Sequence, residues 1–157
     1  MHFWAKFRQN KQFMKKAVTA ILGIFLLSQS VNAQVIGGEH DKLFDLFLLE
    51  KYEDCGAKAF KMSEKDEYSR DAEVYLYLSM VSLKYLELDV SEEELEDRGI
   101  KPLKDALKYA SKAVKYIERA NDKEIPTISK SQNQDYFDKL AQKALDEALY
   151  YFHEDKA

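Results

Sequence analysis

The sequence is poor in the residues that staple or punctuate a chain. Its 157 residues hold one cysteine, two prolines, five glycines and a single tryptophan. One cysteine excludes an internal disulfide, so stability must come from packing. Cys55 sits in Tyr52-x-x-Cys55-x-x-x-Ala59. That helical spacing reads as a small buried core residue before it reads as a reactive thiol, with intermolecular pairing as the lesser alternative. With so few glycines and prolines, long stretches of Ala, Leu, Lys and Glu run uninterrupted at helical period, and nothing alternates like a strand. The expected fold is all-α.

Catalytic furniture is equally sparse. Only His40 and His153 lie beyond the first 33 residues, and neither belongs to a metal-ligand motif. No serine sits in a nucleophile elbow, and no glycine-rich loop is present to hold phosphate. Glu92, Glu93, Glu94, Glu96 and Asp97 lack the alternating spacing and central glycine of a calcium loop. Paired carboxylates carry no weight in so acidic a chain unless they are buried together. The expectation is no catalysis, no cofactor and no metal.

Residues 1–33 contain Lys6, Arg8, Lys11, Lys15 and Lys16 and no acid. An apolar run of 11 residues, Ala17 to Leu27, follows, and then Val31-Asn32-Ala33. A charged region, an apolar region and a small-residue site in that order read as a secretory signal peptide cut after Ala33. The run is too short for a membrane-spanning helix, which needs about 20 residues. The reading is an exported protein of the periplasm, the envelope or the exterior, with no transmembrane anchor left after cleavage. The mature domain would be residues 34–157. It would keep 19 basic against 28 acidic residues, a balance of −9 where the whole chain has −4. So acidic a domain is repelled by nucleic acid and by anionic membranes.

Apolar spacing predicts helices near 40–49, 52–63, 72–88, 102–120 and 134–153. Asp71 is placed to cap the third, and Pro102 suits the first turn of the fourth. Ser91-x-x-Glu94 is a capping-box pattern inside the acid-rich connection 89–101, with Gly99 as its C′ glycine. The third segment carries Val74, Tyr75, Leu76, Tyr77, Leu78, Met80, Val81, Leu83 and Tyr85, apolar on more than one face, and so is expected to be sandwiched between neighbours.

Large and small residues then recur in a family pattern. The third helix reads Tyr75-x-x-Leu78-Ser79-x-x-Ser82 and the fifth Phe137-x-x-Leu140-Ala141-x-x-Ala144. The second reads Cys55-x-x-x-Ala59-x-x-Met62 and the fourth Ala106-x-x-x-Ala110-x-x-Ala113. The succession resembles the tetratricopeptide repeat (TPR), with small residues where helix backbones approach closely. Ser79 to Ala106 spans 27 residues against about 12 in the family, and the proline that ends the repeat is missing. The resemblance implies antiparallel hairpins stacked as a short right-handed array of about five helices. It implies a protein or peptide partner held in a groove lined by the first helix of a hairpin. On the third helix that face carries Glu73, Tyr77, Met80 and Lys84. About two and a half repeats is fewer than the usual three. The last helix is therefore either a cap, with Lys139, Gln142, Lys143, Asp146 and Glu147 outward, or an open end completed by a partner or a second copy. A basic stripe, Lys101, Lys104, Lys108, Lys112 and Lys115, reads first as a solvated face and second as a site for an acidic partner.

Overall fold

The computed structural model describes residues 35, 37–88, 90–97 and 99–154. The expected signal peptide and its cleavage point lie outside them. Among the described residues the fold is all-α, with no strand. The helices are α1 (Asp41–Leu48), α2 (Tyr52–Ser63), α3 (Ala72–Glu87), α4 (Glu92–Asp97), α5 (Pro102–Asn121) and α6 (Gln134–Glu154). Each expected segment is a helix, with bounds shifted by a residue or so. No described helix is long and apolar enough to cross a membrane.

Among the described helices the central one is α3, in which Ala72 through Leu83 are all buried. A helix buried all round needs neighbours on every side. α2 packs on it from one direction and α5 from another, while α1 leans on α2 and α6 on α5. Each large side chain in such a core contributes about 1.5–3 kcal/mol through its removal from water. The helix starts because Asp71 caps it: one carboxylate oxygen accepts from the backbone N–H of Glu73 at 2.9 Å and of Val74 at 3.4 Å.

Small residues let α5 approach α3. Ala106, Ala110, Ala113 and Ile117 recur on one face and are buried. Ser79 is 0% exposed and donates its hydroxyl to the carbonyl of Ala106 at 2.6 Å. The same oxygen lies 2.5 Å from the Tyr136 hydroxyl, so α3, α5 and α6 meet at this serine. Leu83, Ala106, Ala110 and Leu140 close the core around it, with Leu103, Tyr136 and Phe137 against them. Cys55 is likewise fully buried, but Ala141 is exposed, and its neighbour Leu140 is the buried residue of α6. At the far end of α3, Glu87 accepts from Lys84 at 2.7 Å and pairs with Lys139 of α6. Burial pushes the Glu87 carboxyl up, but hydrogen bonds from Lys139 and Lys84 outweigh it and hold the group below its usual range.

Among the described residues three helices end in left-handed C-caps. Gly99 has φ +65°, and Ile100 N–H reaches back to the Leu95 carbonyl at 2.8 Å, closing α4 as the sequence predicts. Glu50 (φ 58°) and Glu124 (φ 54°) do the same work without being glycine. Lys51 N–H bonds Leu46 O at 2.9 Å, and Ile125 N–H bonds Ala120 O at 2.9 Å. A side chain in this conformation costs about 1 kcal/mol. Glu124→Gly is therefore expected to raise stability by about 0.5–1 kcal/mol in urea unfolding. A loss would contradict this reading of the turn.

Candidate protein-binding surface

Glu73, Tyr77, Met80 and Lys84 do share one face of α3, but the chain's own residues occupy it. Glu73 is 5%, Tyr77 1% and Met80 4% exposed. The Tyr77 ring meets Phe47 of α1 at 6.0 Å, and Phe47 meets Tyr52 of α2 at 5.2 Å. Burial pushes the Tyr77 hydroxyl well above its usual range. Only Lys84 reaches solvent, with its ammonium held by Glu87 and lying 5.9 Å over the Tyr52 ring. A charge placed at Tyr77 or Met80 therefore tests the core, and a partner meets this face only after α1 and the segment before it have moved.

Glu73 shows how that segment is held. Its carboxylate accepts from the backbone N–H of Glu39 at 2.6 Å and of His40 at 3.1 Å. Gly38 permits the approach, because a Cβ there would collide with the carboxylate. Val35, two positions after the expected cleavage site, is 2% exposed. His40 Nε2 lies 2.7 Å from Asp71 Oδ2, and its ring meets Tyr68 edge-on at 5.6 Å. Burial dominates at Glu73 and raises its pKa above the usual 4.5, against the two backbone bonds that lower it.

Glu39, His40, Asp71 and Glu73 line a cleft of about 440 Å³, whose other walls include Glu67, Arg70, Ile125 and Pro126. The His40–Asp71 pair was not legible in the sequence, because the two residues are 31 positions apart; the capping role of Asp71 was the one available signal. Every carboxylate oxygen named above already serves a capping or anchoring bond inside the chain, which makes the cleft a structural junction. Among the described residues no group of histidine, cysteine and acids is placed to hold a metal. The Cys55 thiol is pushed up to about 12 by burial and donates to the Leu43 carbonyl at 3.5 Å, both of which favour the thiol over the thiolate.

Among the described helices, α6 exposes the most large apolar side chains. Beyond Leu140, every residue up to His153 is exposed except the half-buried Ala144. Leu145 is 52% and Leu149 47% exposed, one turn apart, and Phe152 at 54% continues their stripe. Tyr150 and Tyr151 flank it at 58% and 57%. The polar residues Lys139, Gln142, Lys143, Asp146 and Glu147 are exposed as well. Clustered apolar exposure of this kind is what a binding face shows and scattered single residues do not. Comparison of the chain with protein-family models, with curated proteins and with solved structures finds no match.

Proposed function

We propose that this protein is an exported adaptor of the periplasm or cell envelope, built as a short TPR-like helical array, that holds another protein or peptide and carries out no catalysis. The observation that supports the reading is the apolar stripe Leu145–Leu149–Phe152, which α6 leaves in solvent at the end of the helix succession. A closing cap would show water a polar face; this helix shows both polar and apolar ones. The export half of the proposal rests on the composition of residues 1–33, and the array half on the order of large and small residues.

The same stripe supports a second reading, a self-associating structural subunit, because a second copy brings an equal apolar surface. Leu149→Asp separates binding from folding. The residue is exposed, so stability should stay within about 0.5 kcal/mol. Capture of the bound protein is expected to fall by about tenfold or more, with helicity by circular dichroism unchanged. If light scattering shows the wild type to be larger than a monomer, and Leu149→Asp to be monomeric, the partner is a second copy. Undiminished capture by the folded variant would remove this face from the account.

A further inference from the structure

The outer face of α5 carries a second and different surface. Lys104, Lys108 and Lys112 follow one another at i, i+4 and i+8, with Lys115 and Arg119 beside them, opposite the buried alanines. Between Asp105 and Glu118 the helix has no acid. Asp105 is already engaged, accepting from the Lys101 backbone N–H at 2.9 Å. Among the described residues none of Lys104, Lys108, Lys112 and Lys115 takes part in an ion pair. Like charges at i, i+4 cost a helix about 0.2–0.5 kcal/mol per pair. The chain accepts this repulsion although its acids outnumber its bases, 28 to 24.

Two of the lysine heads rest on aromatic rings. Lys112 Nζ lies 4.8 Å from the centre of the Tyr75 ring, and Lys108 Nζ lies 5.0 Å from that of Tyr109. Tyr75 stacks with Tyr109 at 6.4 Å and packs on Tyr116 at 5.3 Å. The Tyr75 hydroxyl donates to the Ser69 carbonyl at 3.1 Å, which fixes the platform to the α2–α3 connection. Ammonium groups resting on anchored rings have less freedom to lose when an anion arrives, so the face is partly organised before binding.

We propose that this lysine–tyrosine ridge binds a short acidic segment of a partner polypeptide. From Lys104 to Lys115 the ridge is about 16 Å long. That length matches about five residues of extended chain. A short segment meets only the ridge, whereas a long polyanion such as nucleic acid overruns it onto a chain whose net charge is −4 and is repelled. The proposal extends the adaptor reading to a surface on α5, separate from the α6 stripe.

The test is fluorescence anisotropy of a short labelled poly-glutamate peptide with the full chain at low salt. Binding is expected, weakening as salt rises. Lys108→Glu with Lys112→Glu should raise Kd by about tenfold or more. Lys104→Glu with Lys115→Glu, both exposed, should do the same and guards against misfolding at the half-buried Lys112. Lys61→Glu with Lys65→Glu makes the same change in net charge on α2 and beyond and should leave Kd unchanged. No binding, equal losses in all three double variants, or tighter binding of oligothymidylate or dextran sulfate than of the peptide would overturn the proposal. A protein that ignores the peptide yet keeps a Leu149-dependent partner loses this inference alone.

Discussion

Ser79→Leu is expected to destabilise the fold by about 3 kcal/mol or more, lowering the urea midpoint without lowering helix content in what remains folded. Ser79 has no free surface, and its oxygen touches the Ala106 carbonyl and the Tyr136 hydroxyl at once. A leucine must push α5 or α6 away from α3, and it strips the Tyr136 hydroxyl of its partner. Burial pushes the Tyr136 hydroxyl far above its usual pKa, against the lowering effect of Ser79. Ser79→Ala isolates the polar part. It keeps the close approach and is expected to cost about 1–2 kcal/mol. Tyr136→Phe added to Ser79→Ala should then be nearly free, because both partners of that bond are gone. A Ser79→Leu protein as stable as wild type would mean that α3 and α5 do not meet at this point.

The second large effect is at Glu73. Glu73→Ala leaves the N–H groups of Glu39 and His40 without their acceptor and is expected to cost about 2–3 kcal/mol. Hydrogen exchange should show the Glu39 and His40 amides losing protection before the amides of α3 do. Gly38→Ala should reproduce part of this loss, since its methyl strikes the same carboxylate. The pH dependence has a defined sign. The folded pKa of Glu73 lies above the usual 4.5 of the unfolded chain, mainly through burial. Between the two values the folded state binds more protons than the unfolded state, so the Glu73 contribution falls as pH rises through that window. Glu73→Gln should flatten that part of the stability curve. A Glu73→Gln curve parallel to wild type across the window would contradict the assignment.

The helices were legible because apolar spacing and caps agreed. Asp71, Ser91, Pro102 and Gly99 each end or begin a helix as read, and the all-round apolar character of residues 72–83 did mean enclosure. What periodicity cannot say is which element covers a face. Glu73, Tyr77, Met80 and Lys84 have the spacing of a groove lining whether they face water or α1. The decisive contacts, Glu73 with the backbone of residues 39–40 and Tyr77 with Phe47, join parts of the chain about 30 positions apart. Glu50 and Glu124 were equally hidden, because glutamate gives no local sign of a left-handed cap. Ala141 and Ser79 occupy the same motif position, yet one is exposed and the other has 0% exposure. α6 enters the core only through its first two turns, at Tyr136, Phe137 and Leu140. The remaining turns then carry Leu145 and Leu149 out into water, where the sequence alone allowed either a cap or an open end.

The most direct test of the adaptor proposal is a paired capture from native envelope extract, with the full chain and its Leu149→Asp variant as baits and bound proteins identified by mass spectrometry. The proposal predicts one or two partners, near stoichiometric on the wild type and lost from the variant, while circular dichroism shows both baits equally helical. Equal recovery on both baits, or no specific protein on either together with a monomeric wild type, would contradict it.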